Sequence, residues 1–61
     1  MDGEKLRIKR VVKNLSQKEL ADIAKVNRSY ISQIESGSTN PSIAVLAKLA
    51  DALGCNIKDF F

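Results

Sequence analysis

The 61-residue chain contains no histidine or tryptophan, one cysteine and one proline. A single cysteine excludes an internal disulfide and a cysteine-based zinc cluster. Its position after Gly54 in an apolar setting predicts a small buried residue rather than a reactive thiol. Without histidine, Cys55 has no adjacent base, and no glycine-rich phosphate loop is present. The sequence therefore gives no support for an enzyme, a metal site, a cofactor or a small-molecule ligand.

Long apolar runs are also missing. No stretch approaches the ~20 apolar residues of a membrane span, and the first residues lack the apolar segment of a signal peptide. We therefore expect a cytoplasmic protein that does not contact a membrane. The length allows one small core, which predicts a single domain over residues 1–61.

Positive charge is concentrated in the first part of the chain. Residues 1–37 carry eight Lys or Arg against five Asp or Glu, whereas residues 38–61 carry two of each. Five cations lie between Lys5 and Lys13 without an acid among them. Such a run is typical of a solvated helix face, and it also suits contact with phosphates. The run by itself does not distinguish the two.

Apolar periodicity and capping signals predict an all-α chain of five helices. The predicted helices cover about 4–13, 17–25, 28–36 and 43–53, followed by a short last helix after Asn56 that carries Ile57, Phe60 and Phe61. Ser16 and Glu19 have the spacing of a capping box. Residues suited to capping and ending the other helices are Asn14, Asn27, Gly37, Ser42 and Gly54.

The predicted core lies between the second, third and fourth helices. The second and third contribute Leu20, Ala21, Ala24, Val26, Ile31 and Ile34, and the fourth a stripe of Ile43, Leu46, Leu49, Ala50 and Leu53. On the first helix the apolar positions are Leu6, Ile8 and Val11. The polar residues of the third helix, from Arg28 to Gln33, lie off this apolar set, and a face of Arg, Ser and Gln suits the DNA major groove.

Four stretches together resemble the phage repressor and Cro-like (XRE-type) helix-turn-helix domains. They are LSQKELA (15–21), YISQIESG (30–37), NPS (40–42) and LADALG (49–54). The resemblance implies a compact five-helix, lambda-repressor-like bundle with the helix-turn-helix at helices 2 and 3. One position departs from the pattern, because Lys25 stands where the turn usually has glycine. In a left-handed conformation Lys25 costs on the order of 1 kcal/mol relative to glycine.

The resemblance also implies which residues face DNA bases. These are Gln17, Arg28, Ser29, Ser32 and Gln33. Arg28 suits a bidentate bond to guanine, with a phosphate as its alternative partner. Gln17 matches a position that contacts either a phosphate or the outermost base pair, and its alternative is an ordinary exposed helix residue.

Phosphate contacts are implied for a second set of residues: Arg10, Ser16, Lys18, Asn27, Tyr30, Ser38, Thr39 and Asn40. For Tyr30 a phosphate bond and ring packing on the preceding helix are equally favoured, and the loop at 38–40 has a simple turn as its alternative. In similar domains the positions of Arg10 and Glu35 form an ion pair between the first and third helices.

The function implied is that of a sequence-specific regulator of transcription, repressor-like, that binds double-stranded DNA. We expect a homodimer on a roughly palindromic operator, with Phe60 and Phe61 as the dimer surface because they give the end of the chain more apolar area than a monomer needs. The alternative is a protein-interaction module, such as an adaptor or an antitoxin-like partner, that uses the same fold without binding DNA.

Overall fold

A computed structural model describes all 61 residues, and all of its regular secondary structure is helical. In chain order these are α1 (Gly3–Val12), α2 (Gln17–Ala24), α3 (Arg28–Ser36), α4 (Ile43–Leu53) and a 3₁₀ turn (Ile57–Phe60). The all-α prediction is confirmed, but the prediction of five helices is wrong. The last segment is a single turn whose bonds span three residues, from Asp59 N to Asn56 O (3.0 Å) and from Phe61 N to Lys58 O (3.2 Å).

Local capping bonds begin α2 and α3 where the sequence predicts. At α2 the Glu19 amide donates to Ser16 Oγ (3.0 Å) and the Ser16 amide donates to Glu19 Oε1 (2.8 Å), so the capping box is complete. The Ser29 amide donates to Asn27 Oδ1 (2.7 Å) at α3. Helix α1 starts one residue earlier than predicted, since Asp2 Oδ1 accepts from the Glu4 amide (3.0 Å).

The helices end in left-handed residues. Gly37 (φ 84°) and Gly54 (φ 67°) end α3 and α4, and Asn14 (φ 59°) follows α1. Lys25 ends α2 with φ 60° and ψ 44°. The departure at Lys25 therefore changes the residue but not the shape of the turn.

Eleven apolar residues form the core, and no polar residue is buried among them. Helix α3 packs against α1 and α2, α4 packs against α2, and the 3₁₀ turn packs against α1 and α4. The buried residues are Leu6, Leu20, Ala21, Ala24, Ile31, Ile34, Leu46, Leu49, Ala50, Leu53 and Phe60. The predicted core of α2, α3 and α4 is thus largely confirmed.

Ile43, Ile8 and Val11 do not belong to the core. Ile43 is 65 % exposed, and the first buried residue of α4 is Leu46. Ile8 and Val11 are half exposed, since α1 contacts the rest of the molecule along the narrow strip that contains Leu6. The apolar stripe of α4 therefore begins one turn later than predicted.

Phe60 is fully buried, so its predicted place in a dimer surface is wrong. The 3₁₀ turn folds back onto α1 and α4 and carries the ring into the core. A backbone bond from Asp2 N to Phe60 O (2.7 Å) fixes this arrangement. Phe61 is 56 % exposed and remains available to a partner.

Gly3 lies where α1 crosses the backbone of α3. A Cβ atom at this position would stand 2.1 Å from the carbonyl oxygen of Ile34 and 2.8 Å from that of Glu35. Real Cβ atoms do not approach oxygen this closely, so only glycine allows the two helices to pack at this distance.

Cys55 packs beside the core but is only half buried, less than its apolar setting predicts. Burial raises the pKa of its thiol, and the nearby Asp59 raises it further. Neutral pH therefore leaves the group protonated and weakly nucleophilic. None of the helices is long and apolar enough to cross a membrane.

We predict that Lys25→Gly raises the free energy of unfolding by about 1 kcal/mol, because glycine adopts the left-handed conformation without a steric cost. The matched control is Lys48→Gly, in the middle of α4, which should lower it by a similar amount. Urea denaturation followed by circular dichroism measures both. Two changes of the same sign would contradict the strain assigned to Lys25.

Candidate nucleic-acid interface

The exposed side of α3 carries four polar side chains, Arg28, Ser29, Ser32 and Gln33, which we call the α3 face. Ile31 and Ile34 are buried on the opposite side of the helix and anchor it to the core. Because successive residues are turned by about 100°, burying Ile31 and Ile34 directs the α3 face away from the protein.

None of the four side chains of the α3 face makes a hydrogen bond or an ion pair within the protein. Ser29 and Gln33 take part in bonds only through backbone atoms, the Ser29 amide as a donor and the Gln33 carbonyl as an acceptor. Arg28 is exposed and has no acidic partner. These donors and acceptors are therefore free to bond to an external ligand.

An ion pair joins α1 to α3 at one edge of the α3 face. Arg10 Nε lies 2.7 Å from Glu35 Oε2, and Arg10 Nη2 donates to Glu35 Oε1 (3.1 Å). The Glu35 side chain is 4 % exposed and that of Arg10 is 13 % exposed. This is the pair that the resemblance implies, and both of its side chains are largely shielded from water.

The same ion pair also holds the start of α2. Arg10 Nη1 donates to the carbonyl oxygen of Leu15 (2.7 Å), directly before the Ser16 cap. Gln17 Nε2 donates to Glu35 Oε1 (3.2 Å). The sequence does not predict the bond between Gln17 and Glu35, because no local pattern links two residues on different helices.

Several candidate phosphate ligands are already engaged within the protein. Ser16 and Asn27 accept capping bonds, and Lys18 pairs with Asp22 (3.0 Å) on the exposed side of α2. Ser38 Oγ donates to the Gln33 carbonyl (3.2 Å). Arg10 uses three of the five guanidinium N–H groups, which leaves two for another partner.

Three other candidates in this set have side chains without a hydrogen bond: Tyr30, Thr39 and Asn40. Thr39 and Asn40 follow the left-handed Gly37 in the loop next to α3. Tyr30 is half buried and packs against the core, so its ring is part of the packing while its hydroxyl makes no bond in the protein.

The four other cations between Lys5 and Lys13 differ in whether they have partners within the protein. Lys5 donates to the Phe61 carbonyl, and Arg7 pairs with Glu4. The bond from Arg7 lowers the pKa of Glu4. Lys9 and Lys13 lie close enough to Cys55 to lower its thiol pKa slightly, at the far end of α4. Two of these four cations, Lys5 and Arg7, are thus bonded within the protein, whereas the side chains of Lys9 and Lys13 make no hydrogen bond.

Comparison with known proteins identifies this arrangement. A family model described as helix-turn-helix matches residues 6–60. The chain belongs to the helix-turn-helix family. Helices α2 and α3, with the turn between them that contains the left-handed Lys25, form the motif that gives the family its name.

Relatives within the helix-turn-helix family cover most of the chain. Control protein C.BamHI of Bacillus amyloliquefaciens is 43% identical over 58 residues, which are 93% of this chain and 72% of that protein. The crystal structure of the restriction-modification controller protein C.AhdI from Aeromonas hydrophila has 39% identity and a TM-score of 0.93, over 97% of this chain and 89% of that one.

A second solved structure contains DNA. The crystal structure of SinR, the master regulator for biofilm formation, in complex with DNA has 39% identity and a TM-score of 0.90. It covers 95% of this chain and 94% of that one. The fold of this helix-turn-helix chain thus matches that of a DNA-bound protein.

We predict that Glu35→Ala lowers the free energy of unfolding by about 3 kcal/mol, because it leaves the Arg10 guanidinium shielded from water without its counter-ion. Glu4→Ala is the control: it removes a carboxylate paired with an arginine at an exposed site, where ion pairs contribute little. Urea denaturation of both variants measures the difference. Equal midpoints would show that the ion pair does not support this helix-turn-helix domain.

Proposed function

We propose that the chain is a sequence-specific DNA-binding regulator of transcription that inserts α3 into the major groove. The observation that carries the proposal is the α3 face, whose four side chains are exposed and unbonded in the free protein. The similarity to SinR, solved in complex with DNA, supports the same conclusion. Residues 1–61 act as one helix-turn-helix domain in this proposal.

Arg28 is our principal base-reading residue. It is the first residue of α3, and in helix-turn-helix proteins the first residues of the recognition helix contact base edges. Its guanidinium fits guanine O6 and N7 through two bonds, a contact worth about 1–3 kcal/mol of discrimination. Ser29 and Gln33 lie four residues apart on the same face and take the neighbouring positions, and Ser32 contacts the edge of the groove.

We assign phosphate contacts to the residues that surround the α3 face. Thr39 and Asn40 have side chains without a hydrogen bond, and the Asn27 amide nitrogen stays available after its oxygen caps α3. Tyr30 presents its hydroxyl, while Ser16, Ser38, Lys18 and Arg10 contribute the donors that their internal bonds leave over. Such contacts orient a protein on DNA without selecting sequence.

Two copies are needed to occupy successive major grooves. The Cα atoms of one copy span 22 × 21 × 19 Å, whereas equivalent positions in the groove repeat about every 34 Å. A homodimer on a roughly palindromic operator meets this distance. Because Phe60 is buried, the exposed Phe61 is the part of the predicted dimer surface that we retain.

We predict that Arg28→Ala weakens binding to the preferred site by about 5- to 150-fold, the range that corresponds to loss of one bidentate base contact. Selection from a random duplex pool first identifies that site, and binding is then measured over a range of salt concentrations. Arg7→Ala is the matched control, since it removes an exposed arginine of α1 that pairs with Glu4. It should leave the affinity nearly unchanged.

The same measurements distinguish the alternatives. If Arg28→Ala weakens all sequences equally and reduces the salt slope by about 0.9, Arg28 contacts a phosphate instead. If the pool yields no preferred sequence, the protein-interaction module is the better description. A selected site with one half-site and no symmetric repeat would contradict the homodimer.

A further inference from the structure

The side-chain amide of Gln17 has a fixed orientation in the free protein. Its Nε2 donates to Glu35 Oε1 (3.2 Å). Glu35 is in an ion pair with Arg10, so both of its oxygens are acceptors and neither carries a proton to donate. The nitrogen of Gln17, and not its oxygen, must therefore face Glu35.

The partner of Gln17, Glu35, is itself restrained by several contacts. Glu35 receives two bonds from Arg10, at 2.7 and 3.1 Å, and its side chain is 4 % exposed. Its backbone is in the last turn of α3, where Gly3 of α1 packs directly against it. Gln17 is thus bonded to a restrained acceptor before any ligand binds, which reduces the rotamer entropy that it would lose on binding.

The oxygen of the same amide is free. Gln17 Oε1 accepts no hydrogen bond in the protein, and no buried side-chain oxygen or nitrogen of the chain lacks a partner. Oε1 is therefore in contact with solvent. Glu35 accepts from one of the two Nε2 hydrogens, and the other hydrogen and the carbonyl oxygen are unbonded within the protein.

This carbonyl lies beside the α3 face. Glu35 follows Ser32 by three residues and Arg28 by seven, so all three lie along one side of α3. Gln17, bonded to Glu35, borders the row that begins with Arg28. An acceptor at this place flanks the side chains to which we assign base contacts.

We propose that Glu35 is a positioning residue that sets Gln17 as a hydrogen-bond acceptor for a base with an exocyclic amino group. In the major groove these donors are N6 of adenine and N4 of cytosine, whereas guanine O6, thymine O4 and phosphate oxygens only accept. Of the two roles that the family resemblance implies for Gln17, the carbonyl oxygen can serve only the base contact, whereas a phosphate contact would use the second Nε2 hydrogen. The inference rests on the proposed DNA-binding function.

The test uses modified duplexes of the selected operator. Each adenine in turn is replaced by purine, which lacks the N6 amine, and each cytosine by a pyrimidinone that lacks the N4 amine. We expect one position per half-site at which loss of the amine weakens wild-type binding by about fivefold to tenfold, as for one hydrogen bond. Gln17→Ala should remove this sensitivity at that position and at no other.

Two variants separate positioning from support of the fold. Glu35→Gln presents an uncharged amide that no longer dictates the orientation of Gln17, so the sensitivity to the amine should fall to less than about twofold. Arg10→Lys weakens the ion pair but keeps the acceptor carboxylate. It should lower the melting temperature and retain the sensitivity. If Glu35→Gln does not fold, Glu35→Asp replaces it, since it withdraws the carboxylate by one methylene.

Three results would overturn the inference. One is a Gln17→Ala variant that keeps the full sensitivity to the amine. Another is an equal loss of sensitivity in Arg10→Lys and Glu35→Gln, which would indicate a purely structural role. The third is an affinity that falls, in a Gln17-dependent way, when one phosphate is replaced by a neutral methylphosphonate, while removal of the base amines has no Gln17-dependent effect. Failure to select any operator would instead contradict the proposed function itself.

Discussion

The ion pair between Arg10 and Glu35 is the interaction on which the rest of the structure depends. The core is entirely apolar, so nothing in it fixes how far α3 is turned about its own axis except the shapes of Ile31 and Ile34. A shielded pair with two bonds of defined direction adds that constraint, and it also ties the residue before the α2 cap to the same guanidinium. Removing water from two charges is costly, and here that cost is offset by three hydrogen bonds.

Features controlled by neighbouring residues could be predicted from the sequence. The capping box of Ser16 and Glu19, the cap at Asn27 and the left-handed stops at Gly37 and Gly54 each depend on a few consecutive residues. The buried positions of α2 and α3 follow from the apolar spacing. The apolar spacing also predicts that the polar residues of α3 lie off the core, which is confirmed except for the half-buried Tyr30. The selection of the four residues of the α3 face is what the family resemblance implies.

Features that depend on contacts between distant segments could not be predicted in the same way. Whether Phe60 is a surface or a core residue depends on how the 3₁₀ turn folds back onto α1 and α4. Whether Ile43 is buried depends on where α4 first meets α2. The requirement for glycine at position 3 depends on the backbone of Ile34 and Glu35. Apolar spacing within one helix contains no information on any of these three contacts between helices.

The residues to which we assign DNA contacts differ in how many bonds their side chains make within the protein. Arg28, Ser29, Ser32 and Gln33 make no side-chain bond within the protein, so exchanging them should change stability little, and under the proposed function it would change the DNA sequence that is bound. Gln17 shares Glu35 with Arg10, so its replacement disturbs a network that supports the fold. Under the proposed function, a change in the sequence that α3 selects is therefore compatible with an unchanged fold, whereas a change at the first residue of α2 also alters the bonds of the ion pair.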